Sequence, residues 1–108
     1  MATIRVLGQS APSASIETVL YTCGATSTVV SSLFICNTSP SAMDSFSVRV
    51  CINGAGDAVA QILFAQAAIP PTTTAAIVAG LTLATGDVLK VTSTNGTTSF
   101  SLFGQENA

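Results

Sequence analysis

Turn-forming residues cut this chain into short apolar runs, and none of them carries the pattern of a long amphipathic helix. Cys23-Gly24, Asn37-Thr38-Ser39-Pro40-Ser41, Asn53-Gly54-Ala55-Gly56-Asp57, Pro70-Pro71, Ala79-Gly80, Thr85-Gly86-Asp87 and Asn95-Gly96 punctuate it. The spacing is about 8 to 12 residues over much of the chain, the interval of an all-β sandwich or barrel. The runs between are rich in Val, Ile, Thr and Phe, which suit a pleated backbone. The pattern predicts an all-β, antiparallel β-sandwich of about eight short strands, with a jelly roll as one winding that fits. The chain's 108 residues suit a single domain, 1–108, with a core of its own.

Read in order, Thr3-Ile4-Arg5-Val6-Leu7 is a first strand, followed by a loop from Gly8 to Ser15 that contains Pro12. Glu17 to Thr22 and Ser27 to Asn37 follow as strands. Phe46, Val48, Val50 and Ile52 alternate with Ser47, Arg49 and Cys51, the period of two that puts one face of a strand inside and the other outside. Ala58 to Ala68 is Ala-rich and fits a helix by propensity; its strand-like neighbours favour a strand through Gln61-Ile62-Leu63-Phe64. Ile69-Pro70-Pro71 marks an edge or a crossing between sheets, because proline gives no ladder donor. Thr74 to Val78 and Leu81 to Ala84 are short strands. Val88 to Thr94 and Thr97 to Phe103 flank Asn95-Gly96, a dipeptide that favours a type I′ hairpin. Sequential hairpins of this kind bury one face of each sheet and leave Ser and Thr on the other.

Such a sandwich has an unusual exterior. Charged residues make up 7% of the chain, three basic and five acidic with no histidine, against roughly 25% in ordinary soluble domains. Sheet edges are normally guarded by charge, and this chain has little to give, so neighbours are expected to cover much of its surface. Arg5, Arg49 and Lys90 are scattered, which excludes the clustered cations that direct nucleic-acid binding needs. The charge-free stretch Ala58 to Gly86 is split by Pro70 and Pro71, so no membrane span is expected. Met1 to Gly8 has no secretory h-region, which predicts synthesis in the cytosol. Cys23, Cys36 and Cys51 show no metal-site or disulfide spacing, and Cys36 and Cys51 read as buried, reduced core thiols.

Little in the chain reads as catalytic. Without histidine, Ser-His-Asp and Cys-His chemistry is excluded. Glu17, Asp44, Asp57, Asp87 and Glu106 are spread thinly, mostly at loop or turn positions, and read as solvated turn residues. Gly54-Ala55-Gly56 lacks the length and the lysine of a phosphate loop. Asp57 and Asp87 stand beside glycine but outside any DxDxDG calcium loop. No enzyme, cofactor or metal is expected. A sugar-binding role would normally use exposed aromatic platforms, and only Tyr21 and five Phe are present.

The opening Ala2-Thr3-Ile4-Arg5-Val6-Leu7-Gly8-Gln9-Ser10-Ala11-Pro12, then Leu20-Tyr21-Thr22, Val29-Val30-Ser31-Ser32, Cys36-Asn37, Gly80-Leu81-Thr82-Leu83, Asp87-Val88 and the closing Ser99-Phe100-Ser101-Leu102-Phe103-Gly104 resemble a family of small virion proteins of tailed bacteriophages. The resemblance covers nearly the whole chain, and its motifs are structural. Cys23-Gly24 stands where that family has Val-Pro after Tyr-Thr. The resemblance implies a β-rich structural protein of the virion, made in the host cytoplasm: a decoration or cement protein on the capsid exterior that bridges major capsid protein subunits. A tail, baseplate or fibre-adaptor component is the alternative. Its partners are then the major capsid protein or another virion protein, and copies of itself, with a homotrimer suited to local threefold positions. Residues 1–15 are either an extended arm that orders on a partner or the first strand of the sandwich. The residues expected at the interface are Thr3, Ile4, Arg5, Val6, Leu7, Pro12, Pro70 and Pro71.

Overall fold

A computed structural model describes residues 2–24, 26–54, 56, 61–77 and 81–107. They form nine strands: β1 (Ala2–Ser10), β2 (Thr18–Thr22), β3 (Ser27–Asn37), β4 (Asp44–Cys51), β5 (Ile62–Ile69), β6 (Thr74–Ile77), β7 (Leu81–Ala84), β8 (Val88–Ser93) and β9 (Thr98–Asn107), with a 3-10 turn at Ile52–Gly54. The first sheet runs β1-β9-β3-β6, with β7 also on β3, and the second runs β2-β8-β4-β5. All strand pairs are antiparallel.

β6 pairs with Leu33–Cys36 and β7 with Ser27–Val30, so the two lie in succession along one edge of β3. Counted as one interrupted strand they leave eight, and the chain then changes sheet at every connection except the one from β4 to β5. That winding is the jelly roll, a double sheet built from Greek keys. Inward side chains from both sheets meet in one core. Leu33, Ile35, Phe100 and Leu102 from the first sheet pack with Val48, Leu89 and Val91 from the second, all at most 1% exposed. Phe46 and Phe100 meet edge-on across the sheets, centroids 6.2 Å apart.

The expected sequential hairpins are absent among the described residues apart from β4–β5, and the Asn95-Gly96 hairpin is corrected. β8 pairs with β2 and β4, whereas β9 pairs with β1 and β3. Asn95-Gly96 therefore carries the chain from one sheet to the other. Gly96 has φ 75° while Asn95 does not enter the left-handed region, so the turn is not type I′.

The cause is a buried carboxylate on β4. Asp44, 4% exposed, accepts hydrogen bonds at Oδ1 from the N–H groups of Ser45 (2.8 Å) and Asn95 (2.9 Å). Its Oδ2 accepts from the hydroxyls of Ser93 (2.5 Å) and Thr98 (2.5 Å), and Thr97 Oγ1 lies 3.3 Å away. Ser93 Oγ in turn accepts from Gly96 N–H at 3.0 Å. Asn37 completes the set: its amide donates to the carbonyls of Ala42 and Ile69, and its oxygen accepts from Thr97 Oγ1 at 2.9 Å. The turn is thus shaped by long-range donors around one anion, which overrides the local preference of its dipeptide.

Three other expectations change in detail. The alternation in β4 holds at Phe46 and Val48, but Val50 is half-buried, Cys51 is buried, and Ile52 leaves the strand 72% exposed. The register on β5 slips between Phe46 and Val48 and again before Arg49, and Cys51 Sγ lies 3.5 Å from Gln61 Oε1. The Ala-rich segment is a strand as favoured, running from Ile62 to Ile69, because pairing with β4 outweighs helix propensity; Ala58–Ala60 lie outside the described residues, as do Asp57, Ala79 and Gly80. Cys23 belongs to the core, whereas Cys36 is half-buried, paired with Ser99 on β9 and Thr74 on β6. No disulfide joins the three cysteines. Pro70-Pro71 lies on the crossing from β5 in one sheet to β6 in the other.

Burial alone would push the Asp44 carboxyl upward, but the bonds from Ser93, Thr98, Asn95 and Ser45 outweigh it and hold the group at about 2. A folded-state value below the unfolded one gives stability that is complete above the unfolded value and lost as pH falls through the folded one. Chemical unfolding is therefore expected to show about 2 kcal/mol disappearing between roughly pH 4 and pH 2. Asp44→Asn is expected to flatten that acid branch and to lower stability at neutral pH by about 2–4 kcal/mol.

Candidate functional site

The two outward faces of the sandwich differ in kind. On the first sheet, cross-strand register fixes which side chains point out. Ile4 and Val29 both pair with Gln105, and Val6 pairs with Phe103. Paired residues in an antiparallel ladder share a face. Phe34 stands beside this row with its ring edge-on to Phe103, centroids 5.7 Å apart. Ile4 is 82% exposed, Val6 46%, Val29 43% and Phe34 41%. Ser31, Ser99, Ser101, Gln9 and Gln105 surround them, and among the described residues no Asp, Glu, Lys or Arg alternates onto this face. A shallow depression of about 270 Å³ lies between Ile4, Val29, Ser31 and Gln105.

The outer face of the second sheet carries charge. Arg49 on β4 and Lys90 on β8 are directly paired. Glu17, just ahead of β2, reaches both: its Oε2 is 3.5 Å from Arg49 Nη1 and its Oε1 is 3.8 Å from Lys90 Nζ.

The edge strand that carries Ile4 and Val6 is anchored from its other side. Arg5 points to the opposite side of β1 from Ile4 and Val6, with Nη1 3.1 Å from Glu106 Oε1 on β9. The other oxygen of Glu106 accepts from the Tyr21 hydroxyl at 2.5 Å, and that hydroxyl also lies 2.9 Å from Thr28 Oγ1. β1 is thereby tied to β9 in its own sheet and to β2 in the other. Burial, followed by the bond to Glu106, pushes the Tyr21 phenol up to about 12.

The residues expected at an interface separate accordingly. Thr3, Ile4, Arg5, Val6 and Leu7 lie in β1, a strand paired with β9. Ile4 and Val6 face outward; Arg5 serves the anchor; Leu7 is 7% exposed and belongs to the core. Pro12 is buried, so neither it nor Leu7 is available to a partner. Pro70 is exposed and Pro71 half-buried, both on a sheet crossing and off the apolar face. Val29, Phe34 and Phe103 were not among the expected residues. In Val29-Val30 and Leu33-Phe34-Ile35 apolar neighbours point opposite ways, and a register shift between Val30 and Ser32 changes the phase midway. Composition cannot reveal that shift.

Among the described residues no group of three His, Cys, Asp or Glu side chains could hold a metal ion, and no helix is long and apolar enough to cross a membrane. Compared with protein families and with curated proteins, the chain matches no family model and no curated protein.

Tyr21 is the only tyrosine, and there is no tryptophan, so phenolate absorbance reports the anchor alone. Its titration is expected near pH 12 instead of the ordinary 10. In Glu106→Gln the midpoint is expected to fall only part of the way back, since burial remains the larger cause.

Proposed function

We propose that this chain is a structural protein of a bacteriophage particle, a decoration or cement protein that sits on the capsid exterior and bridges major capsid protein subunits. The observation that carries the reading is the uncharged outer face of the first sheet, where Ile4, Val6, Val29, Phe34 and Phe103 stand together. Contiguous exposed apolar side chains rimmed by neutral polar groups mark protein contact surfaces. Ser and Gln at the rim can hydrogen-bond a partner without the desolvation cost of a charge.

The jelly roll is compatible with this role and does not choose it, since the same winding serves viral capsids, lectins and cupins. Apolar contact contributes about 25 cal/mol per Å² before association costs. One such face is a modest contact, but symmetric copies over a lattice multiply it. Self-association as a cyclic homotrimer would let each module touch several shell subunits at once.

The test is reassembly. Purified chain is mixed with capsids stripped of accessory proteins, bound copies are counted, and the heat resistance of the particles is measured. Binding across the head lattice with a gain in heat resistance is expected, and Ile4→Lys combined with Val29→Lys is expected to abolish it while the isolated variant stays folded. A few copies at one vertex would replace this reading with a tail or baseplate component, and absence from every viral particle would end it. Light scattering checks the trimer: a monomer at high concentration removes the threefold arrangement.

A further inference from the structure

The opposite face, on the second sheet, has a feature that shell docking does not use. The chain has three basic residues, and two of them, Arg49 and Lys90, are placed directly across from each other on neighbouring strands. Like charges in that position destabilise a sheet, and both side chains are largely covered, 18% and 24% exposed. Partial burial raises the cost. A chain with so few charges would be expected to avoid this pairing unless the two cations act together.

Arg49 lines a depression of about 340 Å³, at the lower end of the size range of small-ligand sites, together with Glu17, Ser47, Gln66 and Thr92 and with Ile62 and Ala65 as apolar wall, and Lys90 stands behind its Glu17 side, Nζ 3.8 Å from Glu17 Oε1. The bulge that shifts β5 on β4 falls at the same place. Gln66 holds φ 46°, a left-handed backbone that a non-glycine residue rarely adopts, and its N–H donates to Ser47 Oγ at 3.0 Å. Backbone strain of this kind collects at ligand clamps and functional sites. Hydroxyl, amide and the Arg49 guanidinium converge on one hollow, with Lys90 one side chain away through Glu17.

The chemistry of the occupant is indicated by the group already there. The Glu17 carboxylate spans the two cations, one oxygen toward each. Glu17 lies outside the regular strands, just ahead of β2, so it can withdraw without breaking a ladder. We propose that this depression binds a carboxylate carried by another molecule, with Glu17 as the internal group that the incoming carboxylate displaces. Arg49 would hold the anion through its planar fork and Lys90 as a point charge, while Ser47, Thr92 and Gln66 would contact hydroxyl or amide groups beside it.

The test is a titration of isotope-labelled protein followed by amide shifts, using acetate, glucuronate and a short Glu-containing peptide, with glucose as the neutral control. Saturable shifts at Ser47, Gln66 and Thr92 are expected with the carboxylates and not with glucose. Tighter binding of glucuronate than of the peptide would point to a small acid, and the reverse to an acidic side chain of a protein; either supports the site. Lys90→Gln and Arg49→Gln are expected to weaken binding about tenfold, the loss of roughly one charge-assisted hydrogen bond. If Arg49→Gln does not fold, the Lys90 variant carries the comparison. Glu17→Gln is the discriminating variant, expected to bind carboxylates several-fold more tightly because the internal competitor is gone. Absence of saturable shifts in both wild type and Glu17→Gln overturns the proposal. So does a Glu17→Gln protein that loses stability and binds no better, which would make the trio a structural bridge.

Discussion

Asp44 is buried at the end of the sandwich where the chain crosses from β3 to β4, from β5 to β6 and from β8 to β9. An isolated carboxylate in that position would be unaffordable in a low-dielectric interior. Here its oxygens collect donors from Ser45, Ser93, Asn95 and Thr98, residues that local structure alone would never assemble. Asn37 extends the same set to the carbonyls of Ala42 and Ile69. The crossings are therefore held by a shared polar centre, and the two sheets can separate at that end only by stranding an anion.

This centre also explains where the sequence was legible and where it was not. The strand content could be read from β-branched runs and breakers, because the steric preference of Val, Ile and Thr is local. Proline at 70 and 71 announced a sheet crossing for the same reason: a missing donor is a property of the residue itself. The connection at Asn95-Gly96 read as a hairpin because its dipeptide is a strong local signal, while the donors that redirect it to Asp44 are separated from that residue by about half the chain. Outward apolar residues were legible at Ile4 and Val6 only as part of the whole run Thr3 to Leu7, with no face assigned within it. They were not legible at Val29 and Phe34, where a slip in register hides the phase.

The few charges are used sparingly and in specific places. Arg5 and Glu106 anchor the edge strand from beneath, Glu17 bridges Arg49 and Lys90 on one outer face, and Asp87 accepts from the N–H groups of Asn53 and Ala84 at the opposite end of the sandwich from Asp44. Among the described residues none reaches the outer face of the first sheet. The low charge content is thus distributed as well as scarce, and the part of it gathered on the outer face of the second sheet lies beside exposed apolar residues such as Val19.

The strand order has a consequence for how the protein is made. β1 pairs with β9 along nearly its full length, bringing Ala2 opposite Asn107, so the first of these nine strands has no ladder partner until the ninth has followed it. Contacts of such long sequence separation slow folding, and in the interval Ile4 and Val6 would lie along an unpaired backbone edge open to other chains. A nascent polypeptide of this design needs either dilution or prompt capture by its final surroundings.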